Sequence, residues 1–500
     1  MSKVLMLGID SLDSRVLSTL EQDLPNFRKL KKQSPDIKLS SIFPPDSVPA
    51  WVTIYTGMNP ARHGVLNFIN PADRAGKVLL TEIDNSYFSG KAFWDIAATL
   101  GKRVCLVLPY AVYPTYPVNG TMACRVLKVM PRDFPIQFFP PSASEKYQVP
   151  SSSLNLFHGF PSKRKLTEFI ASCRERTLAE AELGIQMAEG EEWDLLFIYF
   201  SALDAIQHAF WNCFDESDPT YILDSPYHDV IKDFYILCDD VVGRFMALAK
   251  HDTHIIVVSD HGHGTRPTKT LNINEILRRG GFLTPKSQKM SNINPLYRTG
   301  WIKKSIPKLI NQFGMGYHLT RLLHRFTIWK KIFASPSFID WKRTLAYVTD
   351  LSAIKSYSYG GVRVNSENLG RIEYEEMRSL VIKALSQIKE PDTGENLVQW
   401  VCTREEVYSG KYIEKYPDIL FLLKDEYGAG WEIGKGLVSP SPIHDIQPGS
   451  HKGDTPVLLI SNCDRECAKR GATLMDIAPT LLHLMEIDGD FGFDGESILE

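Results

Sequence analysis

The sequence predicts an α/β fold: a mostly parallel central sheet flanked by helices on both faces, with an inserted helical cap. Three observations point to it. Short β-branched apolar runs alternate with longer helical patterns, the rhythm of a parallel sheet with crossover helices. Several runs are apolar at successive positions, as strands covered on both faces must be. Several end in an acidic residue, Asp10, Asp204 and Asp260, and open α/β sheets gather ligands just beyond the carboxyl ends of their strands.

The runs read, in order, VLMLGID, KRVCLVLPY, WDLLFIYFSALD, THIIVVSDHGHG, PDILFLL and TPVLLIS, each about strand length. Helices are expected at Lys165 to Glu189 and at Asp229 to Lys250, where apolar residues recur at three and four positions. No internal repeat is visible. Residues 1–283 and 345–500 are expected to form one domain, interrupted by the cap at 284–344. That segment carries twelve Lys or Arg against a single acid, Asp340, together with Trp301, Phe326, Trp329 and Trp341. It reads as basic amphipathic helices over the site, with a face able to meet an anionic surface. A solvated basic face with its aromatic stripe turned to the core is the structural alternative.

Composition narrows the classes further. With 500 residues, 44% of them hydrophobic, the chain is long enough for a large core and too apolar for disorder. A net charge of −3 gives no overall attraction to a polyanion. The opening MSKVLMLGID is a buried strand rather than a secretion signal, and the longest apolar stretches fall short of the roughly 20 residues of a membrane span. Eight scattered cysteines, among them Cys105 and Cys238 inside apolar runs, fit reduced core thiols. Cys463 and Cys467 lack further Cys or His neighbours and are read as ordinary thiols. A soluble, cytoplasmic protein is the expectation.

The chemistry-bearing residues sit at the strand ends. Asp260 and His261 in VVSDHGHG follow a strand side by side, so both can reach one ion. Asp204 and His208 are four apart, so a helix starting there presents both on one face. Asp10 adds a carboxylate after the first strand, and His451 lies in the glycine-rich loop PGSHKGD before the last. Any one of these aspartates taken alone is equally well a helix N-cap. Together the six side chains suffice for two ions with three protein groups each, leaving positions open for substrate. Two ions roughly 4 Å apart stabilise the attacking and leaving oxygens of an in-line displacement at phosphorus. Ser47, in PPDSVPAW, stands at the start of an apparent helix, where backbone N–H groups favour an anion and metal coordination can activate the hydroxyl. An N-capping role for Ser47, with Pro49 in the first turn, is compatible with that.

Taken in order, GIDSLD, PPDSVPAW…TGMNPARHG, KAFWDIAATLGKRVCLV, WDLLFIYFSALDAIQHAFW, SDHGHG, YPDILF, GSHKGD and DIAPTLLHLM resemble the alkaline phosphatase superfamily, and within it the type I phosphodiesterase and nucleotide pyrophosphatase branch. The resemblance covers most of the chain. It implies an alkaline phosphatase-like fold in which Asp10, Ser47, Asp260 and His261 surround one metal while Asp204, His208 and His451 hold the other. It further implies that Ser47 attacks phosphorus to give a covalent phospho-enzyme, which water activated at the second metal hydrolyses. The ions are expected to be divalent, zinc first and manganese second, and the substrate a small phosphate ester or nucleotide. Asn67 is the expected phosphate-oxygen donor, with a turn role as its alternative, and His63 and His263 are expected to support loops rather than bind metal.

Where sulfatases carry an arginine four residues after the nucleophile, this chain has Trp51, and the second ligand set also speaks against a single-calcium sulfatase site. A phosphomonoesterase, a phospho-group transferase or mutase, and a non-catalytic scaffold that binds anions through the basic insertion are the alternatives. A diester or nucleotide needs an aromatic platform, for which the cap and Tyr110 to Tyr116 are the sources. Oligomeric state leaves no mark in the sequence.

Overall fold

A computed structural model describes residues 2–66, 85–125, 136–147, 161, 164–286, 339–349, 351, 356–390, 393–434, 436–441, 443–463 and 471–499. Its largest sheet, among the described residues, has seven strands in the spatial order Leu458–Ile460, Thr253–Val258, Lys3–Ile9, Leu195–Phe200, Val104–Val107, Gly120–Cys124 and Gln137–Phe139. The five inner strands run parallel and both edge strands antiparallel. This is the predicted mostly parallel sheet.

Alternation along each strand feeds two cores. Leu5, Leu7 and Ile9 join Leu196, Ile198 and Phe200 on one face, while Val4 and Met6 join Leu195, Phe197 and Tyr199 on the other. The first face is covered by Leu166–Gly190, Ala202–Phe214 and Val230–Leu248; the second by Ser47–Thr56, Phe93–Thr99 and Ile477–Leu484. Both predicted long helices are therefore present, with slightly shifted ends.

Register decides where the chemistry emerges. Ile9 pairs with Phe200 and Gly8 with Val258, so the three central strands end abreast. The chain leaves each of them on the same edge, delivering Asp10, Asp204 and Asp260 to one place. Gly8 belongs to this arrangement: a Cβ there would stand 2.6 Å from the Trp51 ring, so any larger residue would push the Ser47 helix off the sheet.

Two expectations need correction. The PDILFLL run is no member of the large sheet; Ile419–Leu423 is a central strand of a separate antiparallel sheet ordered Ala346–Thr349, Tyr359–Val364, Ile419–Leu423 and Val398–Thr403. That sheet packs with Ile273–Arg279 and Arg371–Ser386 around its own apolar cluster. A short apolar run looks the same in either setting, because both bury it on two sides. His451 likewise lies on a strand, Gly449–Lys452, paired antiparallel with Gly262–Thr265, and not in a loop.

The ends of the basic segment meet. Thr284 accepts from the Asp340 N–H through its carbonyl (2.9 Å) and donates its own N–H to Thr344 Oγ (3.1 Å). The chain thus leaves and re-enters the body at one point. The body of the segment, residues 287–338, lies outside the described residues. Trp341 packs against Tyr347 (ring centroids 4.9 Å apart), at the edge of the smaller lobe's core. No helix among the described residues is long and apolar enough to cross a membrane.

Candidate active site

The Ser47 helix is capped by Asp46, not by Ser47 itself. Asp46 is extended and its side chain accepts the Val48 N–H, which makes Ser47 the first helical residue. Val48 N–H is thereby taken, Pro49 has none, and Ala50 N–H goes to the Asp46 carbonyl. The Ser47 N–H is the remaining first-turn donor, and the buried hydroxyl beside it lies 3.2 Å from His261 Nε2. One turn further on, Trp51 is fully buried and donates its indole N–H to Asp10 Oδ2 (3.4 Å).

Two clusters of ligand-type atoms stand around this serine. Asp10, Asp260 and His261 form one, and Asp204, His208 and His451 the other, each with its atoms within 4.8 Å of one another. The clusters touch: the His261 and His451 rings stack with centroids 3.8 Å apart. Asp204 and His208 do share one helix face, with His208 Nε2 3.3 Å from Asp204 Oδ1. Asn67 lies outside the described residues.

The imidazole protons can be assigned from their partners. His208 Nδ1 faces the Gly449 carbonyl (2.9 Å), His451 Nδ1 the Pro45 carbonyl (2.8 Å) and His261 Nδ1 the Gly262 carbonyl (3.0 Å). A carbonyl only accepts, so each ring carries its proton on Nδ1 and turns the Nε2 lone pair inward. His208 Nε2 and His451 Nε2 then face each other at 3.0 Å with no proton between them, an arrangement that a cation relieves. On the other side, Asp10 Oδ1 and Asp260 Oδ2 are buried and accept no hydrogen bond among the described residues. Burial, and then the neighbouring carboxylates Asp260 and Asp204, push Asp10 well above the usual carboxylate range. Burial likewise raises Asp260, partly offset by His261. Oxygen and nitrogen donors held this way, with tautomers fixed by outer carbonyls, suit divalent metal ions.

Several positioning residues escaped the sequence reading. Tyr199 donates to Asp10 Oδ2 at 2.5 Å, turning Oδ1 toward the cluster. Its place one residue from the end of the third inner strand was the available signal. Ser11 adopts φ 64°, rare for a residue with a side chain, and in doing so aims its N–H at Asp260 Oδ1 (3.2 Å). Its hydroxyl meets His263 Nδ1 at 2.7 Å. His263 is thus a buried neighbour of the two donor clusters, packed edge-on to His208. Of the proposed aromatic platform, Tyr110 is buried against Tyr199 (5.1 Å), and Tyr116 hydrogen-bonds Trp94 and Asp95, on the flank of the sheet.

His63 supports the turn behind the Ser47 helix. Its Nδ1 accepts Val65 N–H (3.1 Å), which puts the ring proton on Nε2 facing Thr53 Oγ (3.1 Å). Burial first, and then Lys91, drives its pKa from 6.5 down to about 3. The unfolded chain therefore takes up a proton that the folded chain refuses, so this contribution is complete above pH 6.5 and shrinks as pH falls toward 3. Replacing His63 by Gln should flatten the acid loss of stability by about 1 kcal/mol per pH unit between pH 6 and 4, read from urea unfolding at each pH. Parallel wild-type and variant curves would contradict the assignment.

The type I phosphodiesterase / nucleotide pyrophosphatase family model matches residues 4–312, a span that includes six of the seven expected ligand and nucleophile positions and stops short of His451. Among solved structures, the chain is similar to human ectonucleotide pyrophosphatase / phosphodiesterase 5, at 14% identity over 97% of this chain and 96% of that one, with a TM-score of 0.50. At that identity the likeness concerns the fold. No curated protein sequence matches.

Proposed function

The chain belongs to the type I phosphodiesterase / nucleotide pyrophosphatase family and is a phosphoric ester hydrolase of alkaline phosphatase-like fold, and from that premise we propose that it works with two divalent metal ions and Ser47 as nucleophile. The observation that carries this reading is the juxtaposition of two three-residue donor clusters with one buried serine hydroxyl. Asp10, Asp260 and His261, with Ser47, would hold one ion; Asp204, His208 and His451 would hold the other. Bound, such ions supply the Lewis acidity that activates a serine hydroxyl and offsets charge on the attacking and leaving oxygens.

The protein's own groups do the rest. Ser47 Oγ forms a bond to phosphorus as the bond to the leaving oxygen breaks, and water later takes the phosphoryl group and restores the serine. The Ser47 N–H at the helix start would donate to a non-bridging oxygen of the bound phosphate. Asn67 keeps its role as a second donor to phosphate oxygen on the strength of its position after ARHG. The outer carbonyls of Pro45, Gly262 and Gly449 keep the three imidazoles in the binding tautomer.

A small phosphodiester or nucleotide is the substrate of this reading, with zinc ahead of manganese. Metal-loaded protein should turn over a chromogenic diester faster than the matched monoester. The reverse preference would make it a phosphomonoesterase, and transfer of phosphate to added alcohols in place of water would make it a transferase. Tyr199→Phe, which removes one of the two donors to Asp10 Oδ2, should weaken zinc binding about tenfold; unchanged affinity in a zinc-buffered titration would count against Asp10 as a ligand.

Seven cysteines among the described residues are free thiols, which favours the cytoplasm as its compartment. The basic 284–344 segment is our assignment for a contact with an anionic surface, which rising salt should weaken steeply.

A further inference from the structure

Among the described residues, the most deeply buried arginine near the site is Arg266, which is fully inaccessible and lies five residues beyond His261. Its Nε donates to the Gln447 carbonyl (2.6 Å), and its Nη2 to Gln447 Oε1 (3.1 Å) and the Gly449 carbonyl (2.7 Å). Its backbone is tied to the same segment, with Arg266 N–H on the Pro448 carbonyl and His444 Nδ1 on the Arg266 carbonyl. The guanidinium also lies over the Tyr357 ring, 4.7 Å from its centroid.

The Gly449 carbonyl is the oxygen that fixes the His208 tautomer. It therefore receives two donors at once, the His208 Nδ1–H and the Arg266 Nη2–H. Gly449 itself admits no side chain: a Cβ there would come within 2.3 Å of the Gln207 carbonyl and 2.4 Å of His263 Nε2. The strand is thus pressed against the helix that carries Asp204 and His208, and two residues later it presents His451. Tyr357 completes the arrangement. Besides Tyr359, its ring meets that of His451, at 5.1 Å and 33°, so one aromatic ring from the 356–364 segment lies against both the guanidinium and a candidate ligand imidazole. The preceding residue, Ser356, is held at φ 50°, a conformation that a side-chain-bearing residue adopts at a cost.

Burying a guanidinium carries a desolvation cost that an apolar core residue of similar volume would not. The expenditure is directed at one carbonyl and one strand. We propose that Arg266 is a positioning residue for the Asp204, His208 and His451 cluster: it clamps the Gly449 carbonyl, and through it the orientation of His208 and the strand bearing His451, with Tyr357 as the opposing face. This rests on the two-metal reading above and adds to it the part of the fold that holds the second group in place.

The test is zinc titration of the full-length, metal-stripped protein by calorimetry, for wild type, Arg266→Met, Arg266→Lys, Tyr357→Leu and His208→Ala. Wild type should bind two ions. Arg266→Met should lose about 10- to 100-fold in affinity at one site only, the site that His208→Ala abolishes. Arg266→Lys, which keeps the charge without the fork that spans Gln447 and Gly449, should recover only part of the loss. Tyr357→Leu leaves Arg266 in place and should weaken the same site in the same direction, which provides a reading if Arg266→Met does not fold. Two unweakened sites in the folded variants, or equal loss at both, would overturn the proposal and leave the two-metal reading standing. A wild-type protein that binds no pair of zinc ions would overturn both.

Discussion

Ser47→Ala should reduce turnover on the order of 10⁴-fold or more, since removing a nucleophile that acts with its whole constellation costs nearly all of the catalysis. The magnitude follows from the surroundings of the hydroxyl. It is buried at a helix start, beside His261 Nε2, with its own N–H as the remaining first-turn donor. Ser47→Ala leaves the Asp46 cap and the helix intact, so the folded structure and the two donor clusters should survive. The discriminating measurement is rapid acid quench after a short incubation with labelled substrate. Wild type should retain label on one serine and the variant none. Substantial turnover in Ser47→Ala would mean that water attacks directly and would remove the phospho-enzyme from the mechanism.

Metal removal should have the second large effect, on activity and stability together. Asp10 is raised by burial and then by the charges of Asp260 and Asp204, and Asp260 by burial and the charge of Asp204, so without cations the folded protein holds protons that the unfolded chain releases. Such a shift stabilises the stripped protein at low pH, and that contribution is lost as pH rises through the raised folded values. Cations replace the protons. At a thousandfold excess over Kd each ion adds about 4 kcal/mol. Across an unfolding entropy of about 1 kcal/mol/K for 500 residues, two ions amount to about 8 °C in Tm. Chelation should therefore abolish hydrolysis and lower Tm by about that amount at pH 7, with a smaller drop at pH 5. A Tm indifferent to chelator at both pH values would exclude ions from these clusters.

Much of the site was legible because the sequence carries it in local patterns. Asp204 and His208 are visible as an i, i+4 pair, Asp260 and His261 as neighbours after a strand, and Ser47 as a helix-start residue before Pro49. Each signal spans a few residues and follows from the periodicity of one element. Trp51 and Tyr199 were present in the same motifs, but their hydrogen bonds to Asp10 cross from helix and strand to a third element. Arg266 was less visible still. Nothing in TRPTK distinguishes a buried clamp from a surface arginine until the Gly449 strand is placed beside it.

By itself, then, the sequence determined the class of sheet, the strand ends at which ligands emerge and the chemical types gathered there, because alternation, helical spacing and strand termination are properties of contiguous residues. Only the tertiary structure decided that PDILF belongs to a second, antiparallel sheet, that His451 rides on a strand against Gly262–Thr265, and that three backbone carbonyls set the imidazole tautomers. Apart from the local Gly262 carbonyl beside His261, those features depend on contacts between segments up to about four hundred residues apart, such as Pro45 with His451. Hydrogen-bond geometry between such segments follows from register and packing, which no single stretch of sequence encodes.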